Sequence, residues 1–240
     1  MSAVARERLD GGVEVLRLDR PARRNAMDTA LLDVLLATLG ELAADSDLRV
    51  LVVSTTNVAA LSAGADVREG LDPAGAVARM ERFTRLYATV EAFPVPTIAV
   101  CVGNCIGAGA ELAAGCDLRV GGDNLGLRWV GAVHGVPVGP ARLVPLVGLA
   151  RAKDLLFSGR VVGAAEAAEI GFLQAVAPAA EAEARAIELA RSLTANSPHG
   201  LRTLKAMFRE LEGTAARVAS ENARLLAFQR EGMGLPRRDD

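Results

Sequence analysis

Two loops of small residues and one carboxylate are the parts of this sequence best suited to chemistry. The first loop reads Leu61-Ser62-Ala63-Gly64-Ala65-Asp66-Val67, and the second Gly103-Asn104-Cys105-Ile106-Gly107-Ala108-Gly109-Ala110-Glu111. Small side chains let a backbone approach a ligand closely, and glycine permits the dihedrals that aim N–H groups into a site. Glu111-Leu112-Ala113-Ala114 favours a helix, so the N–H groups near Ala108 fall at a helix N-terminus, where the dipole stabilises negative charge. Glu111 follows Ala108 by three residues and can share its side of that first turn. A carboxylate then stands beside a donor able to hold an oxyanion. Two plainer readings stand next to this one. An acid in a first turn is commonly a capping or dipole partner. Gly107-Ala108-Gly109 alone could also cradle a nucleotide, although no full dinucleotide fingerprint follows a first strand.

The elements that must position these loops alternate along the first half of the chain. Val13–Leu18 alternates apolar and polar residues, which predicts a half-buried strand. Asp28 can cap a helix whose apolar face is Leu31, Leu35, Leu39 and Leu42. Val50–Val53 and Thr97–Val102 are continuous apolar runs, typical of strands covered on both faces, and Leu118–Val120 is a shorter one. This order implies an α/β layout with crossover connections. The second half turns helical, with a short helix over 163–171 and a longer one over 180–195. Ser197-Pro198 opens another, since a serine cap followed by proline suits a helix start. Leu201, Leu204, Phe208 and Leu211 predict its buried face. Thr214 can begin a last helix running to about Gly232, and Pro236–Asp240 is expected to fray. The division expected is a core over 1–190 and a helical region over 191–240.

Bulk properties narrow the function classes. The 240 residues suit one large domain, and 51% hydrophobic residues with only 3% aromatics predict a core of Ala, Val and Leu. Lys and Arg total 27 against 29 acids, so no net field points to nucleic acid or an anionic membrane. Cys101, Cys105 and Cys116 lie in apolar surroundings and form no metal or disulfide framework; buried thiols are expected. Met1–Glu7 lacks the apolar stretch of a signal peptide. The uncharged run between Glu91 and Glu111 holds too many prolines and glycines for a membrane helix. A soluble, cytoplasmic protein is expected.

Taken in order, the motifs resemble one family. Leu18-Asp19-Arg20-Pro21 and Arg24-Asn25-Ala26-Met27 precede Ser62-Ala63-Gly64-Ala65-Asp66. Pro96-Thr97-Ile98-Ala99 then leads to Gly107-Ala108-Gly109-Ala110-Glu111 and Cys116-Asp117-Leu118-Arg119. Ser158-Gly159-Arg160, Ala164–Ala167 and Gly171-Phe172 follow. Each motif is modest alone, but their order and separations resemble the crotonase, or enoyl-CoA hydratase/isomerase, superfamily from Leu18 to about Gly171. The C-terminal helices agree in outline.

The resemblance implies a crotonase-like spiral of ββα units, with a C-terminal helical region that builds homotrimers or dimers of trimers. It implies an acyl-CoA substrate, with coenzyme A present as part of the thioester and no separate cofactor or metal. The thioester carbonyl would be held by the N–H groups of Ala63 and Ala108, with Glu111 as catalytic carboxylate. Such donors are worth roughly 2.7–4 kcal/mol each when aimed at a developing oxyanion. Arg24 matches a basic position near the CoA phosphates, where a guanidinium can fork onto phosphate oxygens. The backbone around Ala26, Ala65, Asp66 and Val67 matches the adenine and pantetheine neighbourhood. Asp66 could instead cap a following helix.

One departure decides how far the resemblance reaches. Hydratases of this family pair two glutamates, and the second would fall in Leu127-Arg128-Trp129-Val130-Gly131, at Gly131. No Asp or Glu occurs between Asp123 and Asp154. Loss of a positioned proton donor typically costs about 10²–10⁴ in rate. His134 could supply or relay a proton, or serve only in packing. Trp129, the single tryptophan, could close the pocket or belong to the core. The expectation is an enolate-stabilising hydratase, isomerase or related enzyme, with a non-catalytic acyl-CoA binder of the same fold as the alternative. A nucleotide-dependent enzyme is the remote third.

Overall fold

The computed structural model describes residues 3–232, so the expected fraying of Pro236–Asp240 lies outside the described residues. Strands β1 (Val4–Leu9), β2 (Val13–Leu18), β3 (Val50–Thr55), β5 (Thr97–Cys101), β7 (Leu118–Gly122) and β9 (Ala175–Ala177) form one sheet in the order β1-β2-β3-β5-β7-β9. The β1–β2 hairpin is antiparallel and every later pair is parallel. A second, three-stranded parallel sheet contains β4 (Ala60–Ser62), β6 (Asn104–Ile106) and β8 (Gly126–Arg128). The chain therefore steps from the large sheet to the small one in each turn, and in two turns a helix completes the step. These are α2 (Pro73–Glu91) after β4 and α3 (Ala108–Gly115) after β6. This is the ββα spiral expected of the crotonase fold.

Local chemistry fixes where the helices begin. In α1 (Thr29–Ala44) the Asp28 carboxylate accepts from the Leu31 N–H at 2.9 Å, and Leu31, Leu35, Leu39 and Leu42 are buried. In α2 the Asp72 side chain accepts from Gly75 N, and Pro73 takes the first helical position. Its apolar positions Met80, Phe83, Tyr87 and Val90 recur at helical spacing and are buried. Helix α7 (Ala182–Thr194) sets Ala182, Ala186 and Ala190 against Val13, Val15, Val50, Val52, Ile98 and Val100. The large sheet is thus covered on both faces, as its unbroken apolar strands require. The three cysteines are free and buried, and burial pushes the Cys116 thiol up to about 12. No described helix is long and apolar enough to cross a membrane.

Two expectations need correction. Strand β2 is not half-buried, because it lies between β1 and β3 and is covered on both faces. Its Glu14 is buried and accepts from Arg6 Nε at 2.8 Å and Arg8 Nε at 2.6 Å, so the polar residue in the alternation marks an ion cluster rather than a wet face. The apolar stripe of α8 (Pro198–Leu211) is not buried within the chain. Phe208 is 61% and Leu211 83% exposed, with Leu204 and Met207 beside them. What α8 does bury is Lys205, whose Nζ donates to Val95 O at 3.0 Å and Asp117 Oδ2 at 2.7 Å. Helix α9 (Thr214–Arg230) packs along α2, where Asn222 Nδ2 donates to Thr84 O at 2.9 Å.

Candidate active site

Parallel pairing of β4 with β6 delivers the two small-residue loops side by side. Ala60 pairs with Asn104 and Ser62 with Cys105, so residues 63–65 and 107–108 leave neighbouring strands in one direction. Glycine at two positions permits the approach. Gly109 lies so close to the first loop that a methyl group there would sit 2.5 Å from Ser62 O. Gly64 has φ +96°, and a methyl on it would lie 2.8 Å from Ile106 O and 3.5 Å from Ala108 N. The two loops therefore touch through backbone.

The first loop is pinned by a network whose centre is buried Asn25. Its Nδ2 donates to Thr55 Oγ1, Ala60 O and Leu61 O, and its Oδ1 accepts from Arg20 N. Ser62 Oγ donates to Asn25 O and accepts from Gly64 N. Met27 N donates to Gly64 O at 2.7 Å, and Asp66 N donates to Met27 O at 2.9 Å. Ala63 N donates to Arg24 O at 2.9 Å. The N–H expected to polarise a carbonyl is thus already spent, and Ala63 is not a free donor. Where the two loops face each other, the N–H groups of Ala65 and Ala108 have no hydrogen bond among the described residues. Residue types cannot distinguish Ala63 from Ala65, because the dihedrals at Gly64 decide which amide turns outward.

Both unspent amides lie on the wall of a cavity of about 270 Å³. Ala63, Gly64, Ala65 and Val67 line it from the first loop, and Ile106, Gly107 and Ala108 from the second. Met80, Phe83 and Tyr87 of α2, Leu225 of α9, and Val130, Gly131, His134, Val136 and Val138 complete the wall. Helix α2, which the sequence reading did not include, thus supplies three lining residues. Asp72-Pro73 and the spacing of Met80, Phe83, Tyr87 and Val90 were the available signal.

The remaining expected residues fall in different places. Arg24 is exposed and is not among the cavity-lining residues, and its side chain makes no ion pair among the described residues. Asp66 is a buried residue of the first loop, and Ala26, whose carbonyl accepts from Arg20 Nη1, precedes the Met27 that bonds this loop. Asp66 Oδ1 accepts from Arg68 N at 3.2 Å, closing a local turn, while α2 is capped by Asp72. Trp129 does not line the cavity: it is buried in the core, edge-on to Phe172 at 5.5 Å. Gly131 is held in a tight loop by Val136 N donating to its carbonyl at 2.8 Å. A Cβ at 131 would meet Val136 O at 2.8 Å and Val138 O at 3.2 Å, so no side chain fits there without moving the loop. His134 stands exposed on the turn that follows.

Glu111 occupies the first turn of α3 but is sealed from the cavity, with only 1% of its surface exposed. Its Oε2 accepts from Arg142 Nε, and Arg142 Nη2 donates to Glu221 Oε1. Arg142 comes from α4 (Pro140–Val147) and Glu221 from α9; Glu221 Oε2 also accepts from Ala141 N at 2.7 Å. The guanidinium lies 4.4 Å from the Tyr87 ring centroid, a cation–π contact. Sequence reading missed this carboxylate–guanidinium–carboxylate row, whose members are far apart in the chain. Burial pushes Glu111 up to about 7; Arg142 opposes the shift, and Glu221 adds to it. Glu111 Oε1 makes no hydrogen bond of ordinary length among the described residues, although the Trp129 indole N–H, likewise unpaired, stands near enough to Glu111 to hold its pKa down somewhat. This Oε1 lies against Gly139, whose neighbour Val138 lines the cavity.

Glu91, at the end of α2, is a second buried carboxyl, pushed up to about 7 chiefly by burial. A carboxyl raised in the folded state contributes stability below its unfolded pKa, and that contribution disappears as pH rises through the folded value. The loss falls between about 4.5 and 7. Glu91→Gln should therefore stabilise the chain at pH 8 relative to wild type, by about 3 kcal/mol at most, and by much less at pH 4.5. Urea unfolding at both pH values measures this; an equal effect at the two would show that Glu91 is not the titrating group.

Comparison with known proteins identifies the family of the chain. The sequence profile of the family described as enoyl-CoA hydratase/isomerase matches residues 8–230. The chain is 34% identical over 220 residues to human "Enoyl-CoA hydratase domain-containing protein 2, mitochondrial", covering 88% of this chain and 75% of that one. It is 34% identical over 218 residues to the 2,3-dehydroadipyl-CoA hydratase of Escherichia coli K12, covering 89% and 85%. Among solved structures, an enoyl-CoA hydratase/isomerase from Xanthobacter autotrophicus Py2 superposes with a TM-score of 0.82 at 27% identity, over 98% of this chain and 89% of that one. A profile match spanning nearly the whole chain, two relatives at 34% identity and a shared fold give one result: the chain belongs to the enoyl-CoA hydratase/isomerase family.

Proposed function

We propose that the protein binds acyl-CoA thioesters and stabilises their enolate with the N–H groups of Ala65 and Ala108. The observation that carries this reading is the pair of unspent amides from two touching loops, both at one apolar cavity. Ala108 N also begins α3, whose dipole adds to the stabilisation of developing negative charge. In this reading Arg24 meets the CoA phosphates, and the backbone of Ala26 and Ala65–Val67 meets the adenine and pantetheine. We assign the proton transfer to Glu111, whose buried Oε1 stands against Gly139 behind the cavity wall and reaches substrate when that wall moves.

Isomerisation suits this site better than hydration. Moving a double bond along the acyl chain needs one group that takes a proton from one carbon and returns it to another. Hydration by two carboxylates needs a second acid, and the loop at Gly131 has no room for one. The sealed, ion-paired state of Glu111 favours a second reading, a binder that has kept the cavity and lost turnover. The exposed apolar face of α8 supports contact with further copies of the chain, and we read it as part of a homotrimer.

The test uses crotonyl-CoA and trans-3-hexenoyl-CoA, following enone absorbance and calorimetric binding together. Growth of enone absorbance from the 3-enoyl thioester is expected. Binding of both thioesters with no absorbance change would establish the binder. Ala108→Pro removes one amide hydrogen at a first helical position, where proline is tolerated. It should lower turnover about 10²–10³-fold while the far-ultraviolet dichroism stays intact. Turnover unaffected by this change would remove Ala108 from the oxyanion site.

A further inference from the structure

Tyr87 and His134 are the two side chains with hydrogen-bonding groups among the described residues that line the cavity. They stand in different surroundings. His134 is exposed at the edge, whereas Tyr87 is 4% exposed and belongs to the inner wall. The Tyr87 hydroxyl has no hydrogen-bond partner among the described residues, and it is not one of the fully sealed orphan atoms. Its remaining accessible surface therefore faces the cavity. The ring cannot readily swing to find a partner elsewhere. Phe83 stacks on it at 6.1 Å between centroids, and the Arg142 guanidinium packs over it at 4.4 Å. Burial raises the Tyr87 pKa well above the usual phenol value, so the group is a neutral O–H that can donate or accept.

We propose that Tyr87 is a specificity-determining residue whose hydroxyl bonds a neutral oxygen, hydroxyl or carbonyl, carried on the acyl chain beyond the reacting carbons. The proposal rests on the acyl-CoA reading and names the substrate class within it. A purely hydrocarbon chain filling the cavity would expel water and leave this O–H unpaired in an apolar wall, which is the strongest form of discrimination a pocket can apply. An oxygen on the chain relieves that penalty. A carboxylate at the chain end does not qualify. Behind the Tyr87 ring Arg142 is already paired with both Glu111 and Glu221, so no cation is left to balance a further negative charge.

Calorimetry with saturated thioesters tests this without relying on turnover. The probes are hexanoyl-CoA, its 4-, 5- and 6-hydroxy derivatives, and a thioester of similar length ending in a carboxylate. Wild type should bind the best hydroxylated isomer about ten- to a hundredfold tighter than hexanoyl-CoA, and the carboxylate-tipped chain no tighter than hexanoyl-CoA. Tyr87→Phe keeps the ring and its stacking, so it should erase the preference while hexanoyl-CoA binds at least as tightly as before. His134→Ala should leave the preference in place. The proposal is overturned if wild type binds every isomer no tighter than hexanoyl-CoA, or if Tyr87→Phe retains the preference. Tight, indiscriminate binding would overturn this assignment alone. Failure of every thioester to bind would overturn the acyl-CoA reading, and this proposal with it.

Discussion

Replacing Arg142 by leucine should destabilise the fold by about 3–5 kcal/mol. The guanidinium is fully buried and pairs with two carboxylates that are themselves almost inaccessible. Leucine would restore apolar volume but leave Glu111 and Glu221 facing each other without a cation. Such groups reduce the cost by taking up protons. The sign of the pH dependence follows. In wild type Glu111 already lies above its ordinary value, at about 7, and without Arg142 it would lie higher. A raised carboxyl contributes stability at low pH and loses it as pH climbs through the folded pKa. The gap between the Arg142→Leu variant and wild type should therefore be small near pH 4.5 and widest above pH 7. Urea midpoints at several pH values measure it, and a gap that does not depend on pH would mean the two acids never ionise together.

Glu111→Gln should lower turnover about 10²–10⁴-fold, with acyl-CoA affinity little changed. The amide can still accept from Arg142 Nε, so the positioning row survives while the basic atom is lost. A group that must be deprotonated to act, and that is held near 7, predicts a wild-type kcat/KM rising with pH and levelling above about 7. Initial rates with trans-3-hexenoyl-CoA across pH 5–9 test both statements. Equal turnover in the Gln variant, or a flat wild-type profile, would confine Glu111 to holding Arg142. That outcome would favour the binder over the enzyme.

The fold was more legible in the sequence than the arrangement of the site. The leucines of α1 and the apolar runs of β3, β5 and β7 announce themselves because each signal is local and every apolar residue finds its partner inside the chain. The stripe on α8 is equally regular yet exposed, since periodicity marks an apolar face without saying which molecule covers it. In the first loop, composition singled out seven residues, of which Ala63, Gly64, Ala65 and Val67 line the cavity, but which of Ala63 and Ala65 keeps a free amide is decided by the turn at Gly64 and by the Arg24 carbonyl. Glu111 stood out in the sequence as a carboxylate beside the second loop. Its clamp did not, because Arg142 lies 31 residues away and Glu221 a further 79, joined by tertiary packing alone.

At Gly131, where the family resemblance implies a second glutamate, the loop itself gives a physical reason for glycine. Gly131 is enclosed by the carbonyls of Val136 and Val138, so Gly131→Glu would force the loop open before any acid could reach the cavity. Restoring a two-carboxylate site would require rebuilding residues 131–138 together.

The row from Glu111 through Arg142 to Glu221 also bears on when the protein becomes competent. Its outer member sits on α9, the last of the described elements, and Leu225 of the same helix closes part of the cavity wall. A nascent chain could assemble both sheets and both small-residue loops while Glu111 still lacked its outer support. Maturation of the site would then wait upon the final helix docking, and interference with that late event would leave a well-formed scaffold that is chemically silent.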